Sequence, residues 1–215
     1  MRTYSHQLIL EFSKYFHKPV INGLSDLEHP CQALADFFTI AETLGELKDR
    51  KIAFVGDGNN VLNSLLALAA RFGVHLSYAT PVRYGPHKGI LMRALTEARR
   101  TKAKIVGTHQ PAKAVDGAHV IYTDVWISMG DENRLEKRNH FKGFQVNRNL
   151  LRKASKDVRV MHCLPAHRGE EITNDVIEGK QSIVFDQAEN RLHVQKAILI
   201  YLLGMSGATP DDFSE

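Results

Sequence analysis

Apolar positions along this chain recur with two different periods, and the switch between them marks out the elements. Leu8, Ile9, Phe12, Tyr15 and Phe16 fall at helical spacing, and Pro19 to Gly23 reads as a short buried strand ended by a glycine. Ala33, Leu34, Phe37, Phe38, Ile40, Ala41 and Leu44 then keep a helical period from Pro30 up to Gly45. From Lys51 the pattern alternates. Short apolar runs of strand type cover Ile52–Val55, His75–Ala79, Lys104–Gly107, His119–Thr123 and Val158–Met161, with a further run at Ser182–Phe185. Between them lie Val61–Phe72, Ile90–Arg99, Ala112–Val115 and a mixed helical stretch near Glu132–Phe141. A final helix is predicted over Glu189–Leu203. Strands alternating with helices imply a doubly wound α/β domain, with a mostly parallel sheet of five core strands covered on both faces.

A boundary is expected near Gly45 to Lys51. One helix, one strand and a long helix cannot bury a core of their own, so residues 1–44 read as the tail of a second α/β domain. The body of the fold is then 45–188, with the terminal segment 189–215 as a separate piece. Apolar residues make up 43% of the 215 and charged residues 24%, the balance of a globular chain. The run from Ala197 to Leu203 is far too short to cross a bilayer, and no secretory signal pattern opens the sequence. Two cysteines, Cys31 and Cys163, are too few for a disulfide framework and point to a reducing, cytoplasmic compartment. A formal charge of +4 would suit an anionic partner, but the 28 basic residues are mixed among 24 acidic ones, without a long block. Nothing in that distribution favours nucleic acid over a small anion.

Three stretches fall where strands end, the edge at which open α/β sheets bind ligands. His162-Cys163-Leu164-Pro165 brings an imidazole, a thiol and a proline to one such tip. Taken alone, Cys163 is as well explained as a buried, inert thiol. Gly56-Asp57-Gly58-Asn59-Asn60-Val61 has two glycines of a dinucleotide fingerprint, but Val61 stands at the third position. The next strand ends in Ala79-Thr80-Pro81, without an acid for a ribose hydroxyl, which counts against a nicotinamide cofactor. Two asparagines at a helix start suit a carboxylate or another small polar group. Asp124 could pair with a ligand ammonium, with Gly130 giving the following loop freedom to close; Asp124 and Ser128 could equally satisfy a turn. His29 and Gln32 lie three residues apart at the amino end of a helix, where an anion is favoured, although His29 could simply cap it. His29, Cys31, His162, Cys163 and His167 are metal-ligand types without zinc spacing. A cysteine hydrolase is disfavoured because His162 and Cys163 are successive and should point to opposite faces.

Taken together these pieces resemble the ornithine carbamoyltransferases, within the aspartate/ornithine carbamoyltransferase family. The resemblance rests on His29-Pro30-Cys31-Gln32 with Ala33 to Asp36, on Gly56 to Asn60, on Asp124 to Gly130, on His162 to Pro165 and on Ala188-Glu189-Asn190-Arg191, in order and in register. It implies a Rossmann-like ornithine-binding domain, transfer of a carbamoyl group from carbamoyl phosphate to L-ornithine, no metal or organic cofactor, and a trimer-based homo-oligomer. By the same resemblance Arg2, His29 and Arg191 bind carbamoyl phosphate and polarise its carbonyl. Gln32 and the backbone around Cys163 and Leu164 hold its amino end. Asn60, Asp124, Ser128 and Met129 hold the amino acid, and Asp124 with Cys163 orients the attacking amine. The family's Ser-Thr-Arg-Thr-Arg phosphate loop has no counterpart in these 215 residues, so most of the first domain is expected to be absent and turnover by the chain alone to be slight. A carbamoyltransferase for another amine, such as putrescine, and a non-catalytic ornithine-binding module remain the alternatives.

Overall fold

Apolar runs become strands here only where a neighbouring run is free to pair with them. The computed structural model describes residues 1–127 and 134–204. Strands β1 (Lys51–Val55), β2 (His75–Ala79), β3 (Ile105–Thr108), β4 (Val120–Thr123) and β5 (Arg159–His162) form one sheet in the order β3-β2-β1-β4-β5. Every pairing is parallel, as the alternation of strands and helices predicts. The chain first winds outward from β1 through β2 to β3, then returns to the other side of β1 for β4 and β5. The winding direction therefore reverses between β1 and β4, and a crevice opens there at the carboxyl ends of the strands.

Side-chain alternation along the strands builds a core on each face. Ile52 and Phe54 of β1, Val120 and Tyr122 of β4 and Met161 of β5 join one cluster, while Ala53, Val55, Ile121 and Val160 join the other. The first face is covered by α2 (Pro30–Leu44), α3 (Asn60–Phe72) and α4 (Lys88–Thr101), the last contributing Ala94 and Ala98. In α3 the buried residues Leu62, Leu65, Leu66, Ala69 and Ala70 form one stripe. Asn59 caps its start and Gly73, at φ 72°, ends it in the left-handed region. The second face is covered by α5 (Pro111–Val115), by Phe141 and Phe144 after α6 (Arg134–His140), and by two short helices, α7 (Arg148–Leu151) and α8 (Asn174–Ile177). Helix α1 (His6–Tyr15) leaves only Ile9 buried, and α9 (Val184–Leu202) packs along α2.

Two expected strands do not form. Pro19–Gly23 runs beside Met1–Thr3, with Met1 N donating to Ile21 O and Gly23 N to Met1 O, but among the described residues the pairing reaches just one bridge, Arg2 with Leu24, past the end of the run. Ser182–Phe185 makes one bridge, Ser182 with Val160, before the chain enters α9 at Val184, five residues ahead of the expected helix start at Glu189. Helices α7 and α8, at four residues each, are too short to show a period in the sequence.

Candidate functional site

The crevice holds a cavity of about 530 Å³. Its wall brings together Arg2, His29, Gln32, Asn60, Asp124, Cys163, Leu164 and Arg191, every predicted site residue among those described. Ser128 and Met129 lie outside the described residues. Thr3, Tyr4, Ser25 and Asp26 also line the cavity without having been picked out as site residues, and so does Asn59. Asn59 had a signal in the sequence, as one of two asparagines at a helix start that suit a small polar group, whereas Ser25 and Asp26 read only as turn or cap residues.

One part of the wall is cationic. His29 occupies the cap position of α2 but makes no side-chain cap bond, so capping does not account for it. Burial first, then the Arg191 and Arg2 guanidinium groups, lowers its pKa to about 4. At neutral pH the ring is uncharged and still carries one N–H to donate. Arg191 on α9 donates from Nη1 to Oε1 of Gln32 at 2.6 Å, and the other end of that amide, Nε2, donates to Oδ1 of Asp36 at 2.8 Å. Two guanidinium groups and a neutral imidazole at a helix amino end favour an anion with a polarisable carbonyl.

A second part gathers around Asp124, just past β4. Its Oδ1 accepts the Cys163 thiol at 2.9 Å and the Val125 amide at 2.8 Å, and its Oδ2 accepts Nδ2 of Asn59 at 2.6 Å. Asn59 does two things at once. Its Oδ1 caps α3 through the Val61 and Leu62 amides, while its NH₂ group steers the carboxylate. Burial and the nearby Asp124 charge push the Cys163 thiol well above its ordinary range. It is a hydrogen-bond donor there, not a thiolate nucleophile. Asn60 donates one N–H to the Ser25 carbonyl at 2.7 Å and keeps its remaining polar atoms for the cavity.

The tip of β5 is shaped by His162. Its Nδ1 accepts the Leu164 amide at 2.9 Å, so the ring proton lies on Nε2, directed at Oε1 of Glu171 at 3.1 Å. With Nδ1 accepting from Leu164 and Nε2 facing Glu171, neither ring nitrogen is free to serve as a base for Cys163. Leu164 is held at φ 56°, a left-handed conformation that costs a leucine about 1–2 kcal/mol, and the Leu164–Pro165 bond is cis. The donor atoms of Asp124, His162 and Cys163 lie within 4.8 Å of one another. Both imidazole nitrogens are engaged and the thiol holds its proton, so this trio does not fit a metal ion.

Known proteins share this fold. Residues 48–202 match the family model described as the aspartate/ornithine carbamoyltransferase Asp/Orn binding domain, and residues 1–42 match the carbamoyl-P binding domain of the same family. An ornithine carbamoyltransferase from Prochlorococcus marinus is 53% identical over 205 residues, which is 95% of this chain and 64% of that protein. One from Methanoculleus marisnigri is 51% identical over 98% of this chain and 67% of its own length. Among solved structures, the ornithine carbamoyltransferase from Pyrococcus furiosus superimposes with a TM-score of 0.91 at 50% identity, covering 94% of this chain and 65% of that one. That from Gloeobacter violaceus gives 0.88 at 46% identity, covering 94% and 68%. The chain therefore spans about two thirds of the length of these relatives. With both models matched in order along it, this chain belongs to the aspartate/ornithine carbamoyltransferase family.

Proposed function

We propose that these residues serve an ornithine carbamoyltransferase, which moves the carbamoyl group of carbamoyl phosphate to the side-chain amine of L-ornithine and yields citrulline and phosphate. The observation that carries this reading is the pairing of two unlike groups on one cavity wall: Arg2, Arg191 and a neutral His29 on one side, Asp124 with a protonated Cys163 on the other. A single anionic ligand would need only the first. Two ligands, one anionic and one bearing an ammonium, use both.

In this reading Arg2, Arg191 and His29 hold carbamoyl phosphate, and the imidazole N–H with the guanidinium groups stabilises charge growing on the carbonyl oxygen. Gln32 and the backbone at Cys163 and Leu164 hold the carbamoyl amino end. Asp124, backed by Cys163, directs the uncharged amine to the carbonyl carbon, while Asn60, Ser128 and Met129 hold the rest of the amino acid. The N–C bond forms, the C–O bond to phosphate breaks, and the proton released by the nitrogen leaves with the departing phosphate. Alignment of two substrates in one crevice supplies much of the rate, and no step draws on a cofactor. Residues 1–44 then belong to the carbamoyl phosphate unit, 45–188 to the ornithine unit, and 189–215 return Arg191 to the first. The free thiols of Cys31 and Cys163 support a cytoplasmic setting. The family resemblance supports a trimer-based assembly, which sedimentation would measure.

Calorimetry with carbamoyl phosphate and with L-ornithine, beside an assay for citrulline, tests the reading. Binding of both ligands supports it, and putrescine binding as tightly as L-ornithine would move the acceptor to a plain diamine. The 215 residues alone are expected to form citrulline slowly, because they contain no Ser-Thr-Arg-Thr-Arg phosphate loop. Fast turnover by them would mean that Arg2, His29 and Arg191 suffice for the phosphate.

A further inference from the structure

Beneath the cavity floor lies a carboxylate that the proposed chemistry does not use. Asp36 sits on α2, fully buried, between β4 and α9. Three donors converge on it: Nε2 of Gln32 at 2.8 Å and Nε2 of Gln187 at 2.7 Å on Oδ1, and the Tyr122 hydroxyl at 3.0 Å on Oδ2. Gln187 is itself fixed end for end, because its Oε1 accepts the His162 amide at 3.0 Å and its Nε2 also donates to the Tyr122 oxygen at 3.1 Å. Burial raises the Asp36 pKa to about 7, against the pull of those three donors.

We propose that Asp36 is a positioning residue, fixing which end of the Gln32 amide faces the cavity and, through it, where the Arg191 guanidinium stands. A primary amide can turn over at little cost unless its two ends meet different partners. Here they do. The NH₂ end meets Oδ1 of Asp36, an oxygen that takes two amide donors and so carries no proton, which leaves the amide oxygen facing outward, and there it takes the Arg191 N–H at 2.6 Å. Turned over, the amide would set NH₂ against guanidinium and release Arg191 from the wall. The chain Asp36–Gln32–Arg191 thus makes residue 32 an acceptor at the cavity, suited to the N–H of a carbamoyl group and not to its oxygen. Only the identity of that ligand rests on the carbamoyl phosphate reading; the orientation of Gln32 and Arg191 does not.

Asp36→Leu keeps the size of the group and removes both acceptor oxygens, so the Gln32 NH₂ loses its partner. Tyr122→Phe disturbs the same buried cluster while leaving Oδ1 and Gln32 untouched. Both should lower the Tm. In the ligand-free chain, nuclear magnetic resonance of the Gln32 side-chain NH₂ and the Arg191 guanidinium should show a change in Asp36→Leu alone. Carbamoyl phosphate should then bind about tenfold more weakly to Asp36→Leu and nearly unchanged to Tyr122→Phe. Gln32→Met leaves Asp36 in place and should displace the Arg191 signals by removing the oxygen, which keeps the test decisive if Asp36→Leu does not fold. Unchanged Gln32 and Arg191 signals in Asp36→Leu, equal effects of Asp36→Leu and Tyr122→Phe, or an Arg191 indifferent to Gln32→Met would each overturn the proposal. Expected resonance changes with no binding of carbamoyl phosphate by the unmodified chain would support the positioning role and remove the ligand assignment instead.

Discussion

Asp124 receives three hydrogen bonds, from Asn59, Cys163 and Val125, and that arrangement decides what a substitution there does. In Asp124→Asn one oxygen remains for Cys163 and Val125, but the new NH₂ group faces the NH₂ of Asn59, and the charge is gone. A hydrogen bond to an ionised partner contributes on the order of 1.5–3 kcal/mol, so affinity for L-ornithine should drop roughly tenfold to a hundredfold by calorimetry, with carbamoyl phosphate binding little altered. His29 makes a second residue-scale prediction, in pH. Between its folded value of about 4 and its ordinary 6.5 the folded chain binds fewer protons than the unfolded one, so this group's effect is to lower stability as pH falls through that window. Asp36 acts in the opposite sense. Raised from 3.8 to about 7, it binds more protons folded than unfolded, so its effect is to lower stability as pH rises through that window. The two offset each other in the unmodified chain. His29→Gln removes one side of the balance and should gain on the unmodified protein progressively from about pH 6.5 down to 4, by on the order of 3 kcal/mol at the acid end. Urea unfolding across that range measures it, and a difference independent of pH would show that the ring is not held neutral.

At the scale of elements, the turn between β1 and α3 sets the geometry of the crevice, and it tolerates little. The Gly58 amide donates to the Tyr84 carbonyl at 2.8 Å, and a Cβ added at Gly58 would come within 2.5 Å of Gly85 O and Pro86 N, both backbone atoms. Gly58→Ala must therefore move one turn off the other. We expect a loss of about 1–3 kcal/mol in unfolding free energy and weaker ligand binding, because Asn59 and Asn60 follow directly. The five strands and the main helices were legible because each is a sustained apolar pattern. Pro19–Gly23 and Ser182–Phe185 carry equally good patterns yet fail as strands, because pairing depends on what runs alongside and not on the run itself. The same limit applies to the site. His29, Asp124 and Cys163 stood out through residue type and position, and Arg2 and Arg191 only through the family resemblance. The orienting roles of Asn59, Tyr122 and Gln187 were not legible, since Asn59 meets Asp124 across 65 residues and Gln187 meets Asp36 across 151. No local pattern encodes such meetings.

Across the whole molecule, apolar surface is distributed unevenly. Leu34 and Phe38 of α2 and Val194, Ala197, Ile198, Tyr201 and Leu202 of α9 line a groove of about 420 Å³ that is almost free of polar atoms, and Tyr201 is 72% exposed. Such a surface should bind an apolar dye such as anilinonaphthalene sulfonate. Phe38→Glu, at a residue 43% exposed, should reduce the fluorescence without lowering the Tm, whereas a fall in Tm would show that Phe38 is part of the core. The pairing of α2 with α9 has a further consequence, in time. Asp36 and Gln32 leave a ribosome long before Gln187 and Arg191. At roughly 5–20 residues per second, the 151 residues between Asp36 and Gln187 take on the order of 8–30 s to make. Through that interval the sheet can assemble strand by strand, while the carboxylate at its margin has neither the amide of Gln187 nor the cation beyond Gln32 beside it. The binding crevice is thus completed only after all five strands have been made, and a chain interrupted before Gln187 would carry those strands and no finished site.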